Sequence, residues 1–299
     1  MTREIRRDFL KTVCLSLTGM RVFPRMVRGS SPDPPLGVRW GVRSPFTEES
    51  LHDRALLLSR LGYQGLELGP EFLGRSAESI LAELKDTAIS ISAIVGSLKL
   101  LDPDPTVRTE AVALDRKRLE MARILGAAGV IEVPTFGPCR FPNQEKAPAP
   151  HRLEDQLLVE AIRQLKEDLK RTRVDLFIEP LTRKETHYMN LQSHGARIIE
   201  EAHVPGVKLL SDFYHMQMEE RDITAVLGQY GRSTGYVHLA DGVKRTEPGS
   251  LPFDYRPGFR ALKRFGFSGW LTVESGATDN PESALQRALH YLQRQWLEA

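Results

Sequence analysis

Short β-rich runs and longer amphipathic stretches alternate eight times along the chain, and this alternation limits the possible folds more than any other feature. Such a pattern is typical of parallel βα units, because parallel neighbours in a sheet require a crossover connection. The predicted strands are Arg39–Arg43, Gly65–Leu68, Ile89–Val95, Gly129–Val133, Val174–Glu179, Val207–Asp212, Gly235–Leu239 and Trp270–Glu274. The predicted helices are Glu48–Leu61, Ala77–Lys85, Thr106–Leu125, Arg152–Lys170, Leu191–Ala202, Ile223–Tyr230, Pro257–Phe265 and Pro281–Leu297. Eight consecutive units close most simply into a single-domain (β/α)8 TIM barrel of the α/β class.

The third predicted helix has a clear apolar periodicity. Its stripe is formed by Val107, Ala111, Leu114, Met121, Ile124 and Leu125. Residues at this spacing lie on one face of an α-helix, so we expect these side chains to be buried against the sheet.

Charge and motif content exclude several classes of protein. Residues 1–34 carry seven basic and three acidic residues, which leaves 34 basic and 36 acidic residues in the rest of the 299-residue chain. Because residues 35–299 carry a slight excess of acidic residues, electrostatic attraction does not favour binding to nucleic acid. No apolar run approaches the ~18 residues of a membrane span, so stable membrane insertion is not expected. Neither a G-x-G-x-x-G turn after the first strand nor a G-x-x-x-x-G-K-[ST] loop occurs, which argues against a nucleotide site.

The N-terminal segment is predicted to be an export signal. Ile5–Thr12 reads IRRDFLKT, which looks like a twin-arginine signal, and the modestly apolar stretch Thr12–Met20 follows it. We therefore divide the chain into a signal and linker, 1–34, and a barrel domain, 35–299. This predicts a periplasmic or extracytoplasmic location, with the twin-arginine translocase as a partner during export. The alternative, a basic N-terminal arm, would leave the protein in the cytoplasm.

Polar residues occupy the ends of the last four predicted strands. They are Glu179, Asp212, His238 and Glu274. A single polar residue at a strand end is more simply explained as a helix cap or as part of a solvated turn. Four of them on successive strands are different, because the C-terminal strand ends of a barrel converge on the face that holds the active site. Three carboxylates crowded there would repel one another unless a cation lay among them. Oxygen ligands with one imidazole favour a single Mn²⁺ ion, with Mg²⁺ and Co²⁺ as alternatives, over a structural zinc.

The same segments carry a resemblance to a known family. They are Ile178–Pro180, Ser211–Gln217, Val237–Asp241 and Gly269–Glu274. From about Gly37 onward, the chain resembles the sugar phosphate isomerase/epimerase superfamily. These are the xylose isomerase-like TIM barrels, and the likeness is to the branch that holds D-tagatose 3-epimerase and hydroxypyruvate isomerase.

The resemblance implies roles for seven residues. The implied metal ligands are Glu179, Asp212, His238 and Glu274. Of these, Glu179 and Glu274 are also implied to be the catalytic acid/base pair. Substrate binding is implied for His215, Glu185 and Arg245, with Lys244 as the alternative to Arg245 because the register is open there.

The expected activity is epimerisation or isomerisation of a keto sugar or a related hydroxy-carbonyl compound. Proton transfer would pass through an enediolate that a divalent ion stabilises. One alternative is a lyase, a keto-inositol-type dehydratase, because the same enediolate can expel a hydroxyl group. A second alternative is a non-catalytic exported sugar-binding barrel. The expected partner is a small keto sugar or polyol, and whether the protein forms an oligomer stays open.

Three further side chains and one histidine pair are assigned on weaker patterns. Glu67 and Glu132 belong to the second and fourth strands, where we expect structural ion pairs. Cys139 follows a turn after the fourth strand without a histidine pattern beside it, so a catalytic thiol is not expected. His187 and His194 lie near the loop after the fifth strand, where they could line the pocket, although we favour a position outside it.

Overall fold

A computed structural model describes residues 37–141 and 152–299. Eight strands follow one another along the chain: β1 Arg39–Ser44, β2 Gly65–Leu68, β3 Ser90–Val95, β4 Gly129–Glu132, β5 Asp175–Ile178, β6 Val207–Asp212, β7 Thr234–Leu239 and β8 Trp270–Glu274. Each strand pairs in parallel with the next, and β8 pairs with β1, so the sheet closes. The predicted (β/α)8 barrel is confirmed. The predicted signal and linker lie outside the described residues.

Helices surround the strands. They are α1 Leu51–Leu61, α2 Ala77–Leu84, α3 Pro105–Leu125, α4 Arg152–Gln164, α5 Lys166–Thr172, α6 Gln192–Ala202, α7 Phe213–Glu219, α8 Ile223–Tyr230, α9 Arg256–Arg264 and α10 Pro281–Leu297. One predicted helix is divided into α4 and α5, because the Leu165 N–H donates to Ile162 O three residues back and tightens the turn there. Within the described ranges, no helix has both the length and the apolarity needed to cross a membrane.

The ends of helix α3 agree with the sequence prediction, but its buried face differs from it. Asp104 caps its first turn by accepting from the Thr106 N–H, and Gly126 ends it in a left-handed conformation at φ 70°. However, Leu114 and Ile124 are each 37% exposed. The buried face instead includes Asp115, which is fully buried. The apolar stripe was therefore predicted partly wrongly, because a carboxylate occupies a position that the pattern reserves for an apolar side chain.

The lower part of the barrel interior is packed with side chains. One residue from each of six successive strands contributes to this cluster: Ala93, Ile131, Phe177, Leu210, Tyr236 and Trp270. The Trp270 ring fills the space above Gly65, where an added Cβ would lie 2.3 Å from Trp270 Cζ3. The Tyr236 ring also lies beneath the ring of His238, with centroids 5.5 Å apart. This packed layer lies below the C-terminal ends of the strands, the face at which barrels of this kind hold their active sites.

Candidate metal centre

Four strand ends bring three carboxylates and one imidazole together. Asp212 and Glu274 are the last residues of β6 and β8, His238 lies on β7, and Glu179 directly follows β5. One candidate ligand atom from each residue lies within 4.8 Å of the others. Asp212 and His238 are 1% and 2% exposed, whereas the Glu274 side chain is 26% exposed, so the group is reached by solvent only from the side of Glu274. The structure thus brings together the four residues that the strand-end pattern singled out.

The two ring nitrogens of His238 contact different neighbours. Its Nε2 lies 2.7 Å from Glu67 Oε2, whereas its Nδ1 lies 2.9 Å from Glu274 Oε2 and 3.4 Å from Glu179 Oε1. A metal-binding histidine typically donates its second ring N–H to a carboxylate or carbonyl, which fixes the ring and directs the other nitrogen at the metal. The contact with Glu67 therefore orients Nδ1 towards the carboxylates.

Buried polar atoms without hydrogen-bond partners face one another at this centre. In the part of the chain that the structure describes, they include Glu179 Oε1, His238 Nδ1 and His215 Nε2. His215 Nε2 lies 3.4 Å from Asp212 Oδ2 and 4.0 Å from Glu179 Oε1. Leaving a buried polar group unsatisfied costs about 1–3 kcal/mol, and a shared cation would remove that cost for Glu179 Oε1 and His238 Nδ1, which can offer it lone pairs. The donor set, mostly oxygen with imidazole, fits a divalent ion such as Mn²⁺, Mg²⁺ or Co²⁺.

The two glutamates at this centre have different electrostatic environments. Burial raises the pKa of Glu179 above its ordinary value, and its neighbours do not fully offset this. Burial acts on Glu274 in the same direction, but His238 and Arg245 outweigh it and lower the pKa of that carboxyl well below its usual range. Burial also opposes protonation of His238, but the carboxylates around it, Glu67 first, hold its pKa well above the ordinary value. The two glutamates therefore hold protons with different affinities.

Arg245 contacts two of the four candidate ligands. Its Nη2 lies 2.8 Å from Asp212 Oδ2 and 2.6 Å from Glu274 Oε2, and its Nε donates to Glu274 O at 3.2 Å. The guanidinium group also lies over the Tyr214 ring, 4.7 Å from the centroid. Of the two basic residues that the open register allowed, the structure brings Arg245 to the site, where it compensates negative charge.

His215 and Glu185 also lie at this end of the barrel. His215 belongs to α7, a helix absent from the predicted set, and α7 begins directly after Asp212, whose side chain caps it by accepting from the Tyr214 N–H. The Thr182 N–H donates to His215 Nδ1 at 3.1 Å, so in the neutral ring the proton is on Nε2, which points into the site. Glu185 Oε1 lies 4.0 Å from His215 Nδ1.

Glu67 is the site residue whose role the sequence interpretation missed. It was expected in a structural ion pair, and Arg43 Nε does lie 3.7 Å from its Oε1. Its shorter contact, however, is with His238. Glu67 lies near the C-terminal end of β2, and it is 3% exposed. The strand-end rule that identified the other acids would have found it, had the rule been applied to the first half of the barrel.

The ion pair expected for Glu132 is wrong. None of the ion pairs formed within residues 37–141 and 152–299 includes it. Instead, Ser97 Oγ lies 3.1 Å from both Glu132 Oε1 and Asp115 Oδ2, and the Ser97 N–H donates to Asp115 Oδ1 at 2.7 Å. Burial raises the pKa of Asp115 to about 7, and burial and the charge of Asp115 raise that of Glu132 well above its ordinary value. Two buried carboxyl groups therefore meet where a cation was expected.

Fold and site together define a TIM-barrel protein with a candidate divalent-metal centre at the C-terminal ends of its strands. The chain belongs to the xylose isomerase-like TIM-barrel family, whose sequence model matches residues 56–295. This confirms the superfamily that the motifs indicated.

Relatives of the chain include proteins named as sugar epimerases. The chain is 24% identical to 3-dehydro-D-guloside 4-epimerase of Escherichia coli K12 over 252 residues, which cover 83% of this chain and 95% of that protein. It is 27% identical to a probable ketose 3-epimerase of Synechocystis over 188 residues, covering 62% and 63% of the two chains. Among solved structures, the apo form of a 3-keto-D-glucoside 4-epimerase from E. coli superimposes with a TM-score of 0.77 at 23% identity, covering 86% of this chain and 99% of that one.

Proposed function

We propose that the protein is a metal-dependent epimerase or isomerase of a keto sugar or a related hydroxy-carbonyl compound. The observation that carries this proposal is the convergence of Glu179, Asp212, His238 and Glu274 within 4.8 Å, with buried polar atoms left unsatisfied among them. The names of the relatives, a guloside 4-epimerase and a probable ketose 3-epimerase, support the same class of reaction.

The proposed ion is Mn²⁺, with Mg²⁺ and Co²⁺ as alternatives, held by Glu179, Asp212, His238 and Glu274. When bound, such an ion polarises a carbonyl oxygen and stabilises the negative charge that develops when a neighbouring C–H bond breaks. Metal analysis of the isolated protein, followed by removal of metal and reconstitution with each ion, tests the assignment. Activity that survives complete removal of divalent metal would overturn it.

Glu179 and Glu274 are the proposed acid/base pair. In the chain without metal, burial raises the pKa of Glu179, whereas His238 and Arg245 outweigh burial and lower that of Glu274, so the two carboxyl groups differ in proton affinity. A pair divided in this way is suited to removing a proton from the carbon next to a carbonyl and returning one to it. Return to the opposite face gives an epimer, and return to the neighbouring carbon gives an aldose–ketose pair.

Three further residues are proposed to hold the substrate. His215 presents an Nε2–H into the site, which suits it to donate to a substrate oxygen. Arg245 would donate to an oxygen close to Asp212 and Glu274, and Glu185 would accept from a hydroxyl group further out. These assignments rest on position, because all three lie at the same end of the barrel as the proposed ligands.

Deuterium incorporation tests the reaction. The protein, supplied with Mn²⁺, is incubated in D₂O with a panel of free ketoses and 3-keto-glycosides, and products are analysed by mass spectrometry and NMR. We expect deuterium on the carbon next to the carbonyl and an otherwise unchanged formula. The Glu274→Gln variant, supplied with the same metal, is the matched control and should exchange about 10²–10⁴-fold more slowly. Loss of water would favour the dehydratase alternative, and no exchange with any compound would favour the sugar-binding one.

We also propose that residues 1–34 direct export through the twin-arginine translocase. The support is the paired arginines Arg6 and Arg7 before Phe9 and Leu10. A fusion of this segment to a reporter that exports only when already folded should reach the periplasm of a bacterial host, and the double substitution R6K/R7K should retain it in the cytoplasm. Equal export of the two fusions would contradict the proposal and favour the basic-arm alternative.

A further inference from the structure

A second group of candidate ligands lies outside the proposed active site. Cys139, Glu154 and His187 come from the loop after β4, the first turn of α4 and the loop after β5. One candidate ligand atom from each lies within 4.8 Å of the others. We propose that these three side chains bind a Zn²⁺ ion, and that this ion joins the two loops to α4.

The backbone brings the two loops into contact at this point. Gly137 and Thr186 form an isolated parallel bridge. The Gly137 N–H donates to Glu185 O at 2.7 Å, and the His187 N–H donates to Gly137 O at 3.0 Å. Cys139 therefore follows, by two residues, a segment that is hydrogen-bonded to the loop of His187. The ligands are preorganised by these bonds, which reduces the ordering that an ion would have to impose.

The ring of His187 has the orientation expected of a zinc ligand. Its Nδ1 lies 3.0 Å from Gly137 O. A carbonyl oxygen can only accept, so Nδ1 carries the proton, and the lone pair of the neutral ring is on Nε2. That nitrogen lies 2.6 Å from Glu154 Oε1. A ring N–H given to a backbone carbonyl, with the other nitrogen aimed at anionic donors, is the usual arrangement of a metal-bound histidine.

The chemistry of the donors distinguishes this site from the first. One thiol, one imidazole and one carboxylate fill three positions of a tetrahedral ion, and sulfur with nitrogen is the combination that Zn²⁺ favours. Glu154 is fully buried, and the His187 side chain is 16% exposed. The first centre has no sulfur donor, so the two sites should differ in metal preference.

The position of the site gives it a structural purpose. The loop after β5 carries Glu185, whose carbonyl oxygen accepts from Gly137. An ion that fixes Cys139 to His187 would hold this loop against its neighbour and so fix the backbone of Glu185. The inference does not depend on which reaction the protein catalyses, because its test measures metal coordination directly.

Cobalt replaces zinc in the test because a Co²⁺–thiolate bond gives a charge-transfer absorption band in the near ultraviolet, whereas oxygen and nitrogen ligands do not. The full-length protein, stripped of metal and kept reduced, is titrated with Co²⁺. We expect this band to appear and to saturate by about two equivalents, because the proposed active site also accepts Co²⁺, and we expect added Zn²⁺ to abolish it. The band reports on the thiolate site alone, so the proposed active site needs no alteration.

Substitutions assign the band to these residues. C139S should abolish it, and C14S, which removes the other cysteine of the chain, should leave it intact. H187A should weaken Co²⁺ binding at this site by about 100-fold or more, while the neighbouring substitution H194A should not. Circular dichroism establishes that each variant is folded. Absence of the band in the unaltered protein, or its persistence in C139S, would show that His187 and Glu154 form an ion pair only and would overturn the proposal.

Discussion

Glu67 Oε2 lies 2.7 Å from His238 Nε2, on the far side of the ring from the carboxylates at the candidate metal centre. This makes Glu67 a positioning residue, because it acts through the orientation of His238. We predict that Glu67→Ala lowers Mn²⁺ affinity by about 10–100-fold, the usual cost of losing such a partner. Glu67→Gln should recover part of this loss, since its amide oxygen can still accept from the ring N–H.

Isothermal titration of the metal-free protein with Mn²⁺ measures the effect. Glu71→Gln is the control, because Glu71 contacts the same arginine, Arg43, but lies at the surface. It should bind Mn²⁺ as the unaltered protein does. An unchanged Mn²⁺ affinity in Glu67→Ala would show that the contact with Glu67 on β2 is not needed to orient His238.

The sequence predicts the barrel well because the hydrophobic periodicity of a strand or a helix depends only on residues close together in the chain. All eight strands were located to within about two residues, and α3 ends at Leu125 as predicted. Failures occurred where distant residues determine the outcome. Asp115 is buried because Ser97 and Glu132 lie opposite it, which no local pattern reveals. Helix α7 was missed because it is seven residues long and begins inside a motif interpreted only as ligands.

The same distinction applies to the site. Glu179 and Glu274 were found because strand ends of a barrel must converge, whereas the orientation of His238 depends on Glu67, 171 positions away in sequence. Pairings of this range depend on the closed sheet and cannot be deduced from spacing. The contact of Arg245 with Asp212 and Glu274 is of the same kind.

Removing either proposed proton-transfer group should abolish most turnover. We predict that Glu179→Gln and Glu274→Gln each lower kcat by about 10²–10⁴-fold at saturating metal, the range typical of one general acid or base. Each also removes a charged ligand, so Mn²⁺ occupancy is measured in parallel and held constant. Glu185→Gln is the comparison, because an outer substrate contact should raise KM with a smaller effect on kcat. Rates near those of the unaltered protein in either of the first two variants would remove that residue from the mechanism.

Gly65 makes room for Trp270 inside the barrel. A Cβ at this position would lie 2.3 Å from Trp270 Cζ3 and 2.5 Å from Cη2, and Trp270 is only 2% exposed. We predict that Gly65→Ala lowers the free energy of unfolding by about 1–3 kcal/mol, the usual cost of overpacking. Gly74→Ala is the matched control, since nothing lies within 4 Å of its added Cβ. Urea unfolding of the three proteins compares them. Equal stability of the two variants would show that the tryptophan can move without cost.

The buried carboxyl pair of Asp115 and Glu132 should make stability depend on pH. Burial raises the pKa of Asp115 from 3.8 to about 7, so the folded chain binds this proton more tightly than the unfolded chain. The resulting stabilisation is fully present below the unfolded pKa and is lost as pH rises through the folded pKa. We predict that the unfolding free energy contributed by this group falls between about pH 4 and pH 7, and that Asp115→Asn removes this part of the slope.

Urea unfolding across this pH range, with metal chelated, measures the difference between the unaltered protein and Asp115→Asn. Asparagine keeps an oxygen that can accept from the Ser97 N–H, so the comparison isolates the proton rather than the hydrogen bond. Glu120→Gln on the same helix is the control. Arg123 and Arg171 lower the pKa of Glu120 from 4.5 to about 2, so only the unfolded chain binds this proton, and only below about pH 5. Its loss should therefore leave the slope unchanged between about pH 5.5 and pH 7, where Asp115→Asn should alter it. Parallel curves for the unaltered protein and Asp115→Asn would mean that Asp115 keeps its ordinary affinity for protons, with Ser97 and Arg118 offsetting the cost of its burial.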